Sequence, residues 1–172
     1  IEQIDTLSNI ATEFSHFAKL PKPEYTAVEL ISVINHSCDL YNEDEHAKIV
    51  FENSSESLEV IADKDQLIRI FGNLIKNAIQ SIPYDREGKI FISLQHEPDT
   101  VIVCVQDNGM GIPQDRLNKI FVPNFTTKSS GAGLGLAMVK EMVVGMGGQV
   151  WFETQPNVGT SFYLKLRLRK TS

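Results

Sequence analysis

Four clusters of residues in this chain could do chemistry through their type and spacing. Arg69, Asn73, Lys76, Asn77 and Gln80 recur every three or four residues, so on a helix they share a polar arc of roughly 100°. The carboxamide oxygens of Asn73 and Asn77 suit Mg²⁺, which keeps several waters and accepts protein oxygens one or two at a time. Asp107–Asn108–Gly109–Met110–Gly111 follows an apolar run. A carboxylate there can accept a hydrogen bond from a ligand amine, while Gly109 and Gly111 let the backbone approach a flat ring. The segment from Phe121 to Lys128 places Thr126, Thr127 and Lys128 beside two phenylalanines. Finally, Gly131–Ala132–Gly133–Leu134–Gly135–Leu136 opens a helical pattern, and glycines before a helix N-terminus leave N–H groups available to an anion. Singly, the first three have plainer readings: solvated asparagines, an Asp–Asn–Gly turn, and a surface loop anchored by aromatics. Two commoner phosphate signatures fail, because Leu136 stands where a dinucleotide fingerprint needs glycine and no Gly-Lys-Ser/Thr tripeptide occurs.

The elements that must position these clusters are legible from periodicity. A helix over 65–82 carries the asparagines, with Leu67, Ile70, Phe71, Leu74, Ala78 and Ile82 on its opposite side. Runs 89–95 and 100–106 flank the turn Glu97–Pro98–Asp99 and predict a hairpin of well-buried strands that ends at Asp107. A short helix over 114–120 precedes the Gly131–Leu136 run. A helix over 134–146 then stops at Gly147–Gly148, and strands at 149–154 and 160–168 follow. Upstream, Thr26 and Glu29 form a capping-box signature for a helix over 27–41 burying Ala27, Leu30, Ile31, Ile34, Cys38 and Tyr41. Strands at 48–52 and 57–61 come next. Residues 1–19 carry a heptad-like stripe (Ile4, Leu7, Ala11, Phe14, Ala18) that needs a partner helix, and Pro21 and Pro23 make a stiff connector after it. Hairpins interspersed with helices predict a mixed sheet with helices on one face.

Bulk properties narrow the function. The chain has 172 residues and a net charge of -6, which disfavours nucleic acid or an anionic membrane as partner yet leaves room for one local anion site. Cys38 and Cys104 lack metal-ligand spacing and read as buried free thiols in a reducing compartment. No apolar run approaches the ~20 residues a bilayer requires. Ile1 already lies within a helical pattern, so the chain is expected to be an excised fragment.

In order and spacing the clusters resemble the histidine kinases. Asp65 with Asn73–Leu74–Ile75–Lys76–Asn77–Ala78 is similar to their N box, and Asp107 to Gly111 to the G1 box. Phe121 to Lys128 is similar to the F box, Gly131 to Leu136 to the G2 box, and Gly159–Thr160–Ser161–Phe162 to the strand that closes the site. Residues 1–20 resemble the second helix of the dimerisation and phosphoacceptor domain. Glu13 to Pro21 further resembles the nitrogen-regulation subfamily.

The resemblance implies an α/β (α+β) two-layer Bergerat-type sandwich over 27–170, joined by a proline-containing linker at 21–26 to a remnant of the dimerisation hairpin at 1–20. It implies ATP and Mg²⁺ as cofactors. Asp107 would accept from the adenine amine and Thr160 would support it through water. Asn77 would ligate Mg²⁺ with Asn73 beside it. Gly109 and Gly111 would line the base, and Thr126, Thr127, Lys128, Gly131, Gly133, Leu134, Gly135 and Leu136 would meet the phosphate tail from the lid side. The implied partners are the chain's own dimerisation domain, a second copy in the full-length homodimer, and a cognate response regulator. The implied location is the cytoplasmic portion of a membrane-anchored sensor kinase. Gln80 stands where many relatives have a cation, and Asn124 where a second phenylalanine is common. Asn73 stands where ATP-hydrolysing relatives carry a glutamate base, so negligible ATPase turnover is expected. The acceptor histidine of the family's H box is absent, since His16, His36, His46 and His96 lack its context. ATP binding without self-phosphorylation follows. The alternatives are a degenerate kinase acting by nucleotide-dependent docking, a serine kinase of the anti-sigma-factor type, and an inert sandwich that binds no nucleotide.

Overall fold

The computed structural model describes residues 22–42, 44, 46–53, 57–123 and 133–170. The expected N-terminal helix with His16, and the site residues Thr126, Thr127, Lys128 and Gly131, lie outside the described residues.

The chain runs β1 (Thr26–Glu29), α1 (Leu30–Asp39), β2 (Ala47–Glu52), β3 (Glu59–Ala62), α2 (Lys64–Ser81), β4 (Gly88–His96), β5 (Thr100–Asp107), a 3-10 helical turn (Gln114–Lys119), α3 (Gly135–Gly145), β6 (Gln149–Gln155) and β7 (Gly159–Arg167). Five strands form a mixed sheet in the order β2-β4-β5-β7-β6. Only the β2–β4 pair in it is parallel. β1 and β3 pair antiparallel in a separate ribbon. The Val60–Leu168 bridge and the Arg169 amide on the Glu59 carbonyl (2.9 Å) tie that ribbon to the end of β7.

Strand alternation sets the layers. Ile90 and Ile92, Val101, Val103 and Val105, and Phe162, Leu164 and Leu166 are buried on one face. Against them α2 buries Leu67, Ile70, Phe71, Leu74, Ile75 and Ala78, and α3 buries Ala137, Val139, Met142 and Val143. The result is an α/β two-layer sandwich with one mixed sheet. The other face carries Ile102, Cys104 and the stacked Trp151–Tyr163 pair, whose centroids are 5.3 Å apart. Cys104 is therefore half-buried, contrary to expectation, because alternation turns every second residue of β5 outward. Cys38 is buried; desolvation, with the Asp39 charge beside it, pushes its thiol up to about 11.

Two local expectations are corrected. The first helix begins at Leu30, and Thr26 to Glu29 is a strand because the stretch pairs with Glu59–Ala62. Ala27 is consequently exposed. Glu29 is itself the cap, accepting from the Ile31 amide (3.2 Å) and the Ser32 amide (2.6 Å). The stop after α3 is as expected. Gly147, at φ +71°, donates to Val144 O and Gly148 to Val143 O, both at 2.9 Å, which is a Schellman closure.

Candidate nucleotide site

The sheet's β5 terminates at Asp107, beside the first residues of β7 and the last turn of α2. Asp107 is only 6% exposed, and its Oδ1 accepts three hydrogen bonds. The donors are the Gly109 amide (2.7 Å), the Ser81 hydroxyl (2.9 Å) and the Thr160 amide (3.3 Å). Donors aimed at a carboxylate oxygen fix its plane.

The following loop is stitched on both sides. Towards α2, the Met110 amide donates to Ser81 O (2.9 Å) and Arg86 Nη1 donates to the carbonyls of Asn108 (2.5 Å) and Gly109 (2.9 Å). Towards the β6–β7 turn, the Asn157 amide donates to Met110 O (2.7 Å) and the Ile112 amide to Thr154 Oγ1 (2.8 Å). The Thr154 hydroxyl also lies 3.0 Å from that of Thr160. The glycines are dictated by crowding. A Cβ on Gly109 would sit 2.0 Å from Ser81 Oγ, and one on Gly111, whose φ is +70°, would sit 2.3 Å from Gln155 O. On Gly159 it would fall 2.0 Å from Asp107 O.

Along α2, Gln80 directly precedes Ser81, Asn77 and Lys76 lie about one turn further back, and the half-buried Asn73 lies about two turns back. Asn73 Nδ2 donates to Arg69 O (2.8 Å), leaving its Oδ1 against the start of α3, where a Cβ on Gly135 would lie 2.6 Å away. That start is unusual. α1 and α2 are capped by the carboxylates of Glu29 and Asp63, whereas the cap position of α3 is the buried Leu134, with no side-chain cap and no acidic residue in the first turn. Uncapped first-turn amides with the helix dipole behind them suit an anion. Asn73 Oδ1, turned towards this start, is a hard oxygen donor of the kind Mg²⁺ accepts. Phe121 packs edge-on against Phe152 (6.0 Å) and Phe162 (6.4 Å) beneath Lys140, anchoring the chain just after the 3-10 turn.

The structure thus groups Asp107, Gly109, Gly111 and Thr160 at one end, and Asn73 with Gly135 at the other. Leu134 is the buried cap residue and Leu136 is half-buried in the first turn. Thr160 reaches Asp107 through its own amide. Ser81, Arg86 and Thr154 were not anticipated. Ser81 lies one turn beyond Asn77, a spacing that points to it, while nothing local marks Arg86. His36 and His96 are exposed on α1 and at the end of β4, and His46 Nε2 lies 3.1 Å from Ile82 O. None of the three is among the contacts of Asp107, Asn73 or Gly135.

Comparison with known proteins agrees with this geometry. The family described as histidine kinase-, DNA gyrase B-, and HSP90-like ATPase matches residues 62–170. Sensor histidine kinase ZraS of Escherichia coli is 34% identical over 99% of this chain, which spans 37% of that protein. An NtrY-like sensor histidine kinase of Rickettsia conorii is 36% identical over 83% of the chain and 24% of its own length. The chain therefore spans well under half of these relatives. The solved catalytic domain of histidine kinase ThkA superposes with a TM-score of 0.75 at 32% identity, covering 84% of this chain and 95% of that one. The chain belongs to the histidine kinase-, DNA gyrase B- and HSP90-like ATPase family, as the catalytic module found in sensor histidine kinases.

Proposed function

We propose that the chain binds Mg-ATP and, within its full-length protein, transfers the γ-phosphoryl group to a histidine of the dimerisation domain for relay to a response regulator. The observation that carries this reading is the buried Asp107, its Oδ1 held by three donors at a strand end. A carboxylate so oriented accepts from the adenine 6-amino group, whereas guanine would present a carbonyl oxygen to it and be repelled. Gly109 and Gly111 let the ring lie against the backbone. Asn77, with Asn73 beside it, would hold Mg²⁺, which when bound neutralises phosphate charge. The amides of Gly133 and Gly135 meet the phosphate tail from the start of α3, and Thr126, Thr127, Lys128 and Gly131 extend that contact from the lid.

The nucleophile is a neutral imidazole nitrogen of the acceptor. It forms the N–P bond as the bond to the β-phosphate oxygen breaks and ADP leaves. The catalytic module contributes positioning and charge stabilisation. Asn73, being a neutral amide, cannot deprotonate water, so hydrolysis does not compete.

Partnering with a response regulator is supported by a structure of ThkA in complex with one, whose kinase chain is 28% identical to this chain, covers 96% of it and has a TM-score of 0.76. No helix among the described residues is long and apolar enough to cross a membrane. The module is proposed to work at the cytoplasmic side of a membrane-anchored homodimer. Gln80, exposed on α2 where a cation is common, favours one second reading: nucleotide-dependent docking without phosphotransfer.

The two readings separate when the chain and γ-labelled ATP are mixed with the histidine-bearing helical domain of the full-length protein. Acid-labile label in that domain, lost in Asp107→Asn, is expected. ATP hydrolysis of order 1 s⁻¹ by the chain alone would contradict the kinase reading.

A further inference from the structure

We infer that Arg86 and Ser81 are positioning residues for base recognition, acting through Asp107 and its loop, never on the nucleotide itself. The inference rests on the ATP-binding reading above and concerns how the adenine end of that site is held in shape.

Arg86 lies in the turn between α2 and β4, a stretch outside every motif that marked the site. Its guanidinium is half-buried, and a single nitrogen, Nη1, donates to two successive carbonyls, those of Asn108 (2.5 Å) and Gly109 (2.9 Å). Two carbonyl oxygens drawn to one cation fix the tilt of two adjacent peptide planes. The Gly109 amide, flanked by those carbonyls, donates to Asp107 Oδ1 (2.7 Å). The orientation of the adenine-reading carboxylate thus depends on Arg86 through one intervening residue. Ser81 acts more directly. Its hydroxyl, with one proton to share between Asp107 Oδ1 (2.9 Å) and Ala78 O (2.8 Å), reaches the carboxylate, and its carbonyl receives the Met110 amide (2.9 Å). The last turn of the metal-side helix therefore supports both the carboxylate and the loop behind it. Charge-assisted bonds of this kind are among the stronger ones, and a partly desolvated setting strengthens them further.

A consequence follows from the use of one nitrogen. Arginine's advantage over lysine is the bidentate fork, and the fork is not used on these carbonyls. An ammonium of similar reach can serve both, so Arg86→Lys should recover much of what Arg86→Ala loses.

The test titrates non-hydrolysable ATP and GTP analogues, with Mg²⁺, into wild type, Arg86→Ala, Arg86→Lys, Ser81→Ala and Asp107→Asn, with thermal melts alongside. Loss of the guanidinium's two bonds to the loop predicts roughly ten-fold weaker ATP-analogue binding in Arg86→Ala, and loss of the one hydroxyl bond predicts about five-fold in Ser81→Ala. Binding of the GTP analogue should be unchanged, so the discrimination ratio falls by the same factor, and Arg86→Lys should restore most of it. Equal weakening for both bases would show general damage to the site and overturn the positioning role. So would an Arg86→Ala protein that discriminates like wild type, or an Arg86→Lys protein no better than Arg86→Ala. Should Arg86→Ala fail to fold, Ser81→Ala and Arg86→Lys decide the matter on the same discrimination ratio. Wild type that binds neither analogue would overturn the nucleotide reading itself, and the inference with it.

Discussion

The two ends of the candidate site are built by different means. At the base end the carboxylate, its loop and two neighbouring strands are knitted by short hydrogen bonds, and the glycines there face backbone or tightly held atoms. At the phosphate end the fold supplies an uncapped helix start, a buried Leu134 in the cap position, and one close approach between Gly135 and the far end of the Asn73 side chain. The contrast matches the ligand proposed above. Adenine is a rigid plane recognised by one fixed acceptor, so the protein can prebuild its seat. In the proposed function a flexible triphosphate arrives with a metal ion and is handed to a nucleophile, so its end of the site would rely on backbone amides and amide oxygens.

That comparison can be broken by substitution. The largest effect belongs to the base end. A methyl group at Gly159 would meet Asp107 O, and one at Gly109 would meet both Ser81 Oγ and Asp107 Oδ1. Displacing two bonds to the carboxylate predicts roughly a hundred-fold loss of nucleotide affinity for Gly109→Ala by calorimetry, with a lowered melting temperature. Wild-type affinity in that variant would mean the base end is as adaptable as the other. Next comes Asn77→Ala. If Asn77 serves the metal alone, it should lose about ten-fold of the affinity measured with Mg²⁺ and almost none of that measured in EDTA. A loss independent of the metal would remove Asn77 from the metal-binding role. Smallest is Gly135→Ala. Among the described residues its methyl would meet only the Asn73 carboxamide, which can turn aside at the expense of its bond to Arg69 O. The expected change is under roughly three-fold. A loss as large as that of Gly109→Ala would erase the distinction between the ends.

How far the sequence reveals this arrangement depends on how local each feature is. The helix carrying Asn73 and Asn77, the β4–β5 hairpin and the glycine stop after α3 are dictated by periodicity and turn chemistry, and the structure departs from those expectations by a residue or two at their ends. The strand Thr26–Glu29 is not legible, because four residues become a strand only when Glu59–Ala62 lies beside them, and without that pairing Thr26 reads as a helix cap. The parallel pairing of β2 with β4 across α2 is equally non-local. Within the site, Asp107 and its glycines stand out as a motif. Arg86 does not, since its two carbonyl partners lie 22 and 23 residues away in sequence. Thr154 likewise gains its role only when the β6–β7 hairpin brings it to Thr160.

The central claim is that Asp107 is the prebuilt acceptor for adenine. Calorimetric titration of a non-hydrolysable ATP analogue, with and without Mg²⁺, into wild type and Asp107→Asn tests it most directly. Saturable binding by wild type that Asp107→Asn abolishes, while its melting transition stays cooperative, is the predicted result. Folded wild type that binds no analogue, or an Asp107→Asn protein that binds it as tightly as wild type, would contradict the claim.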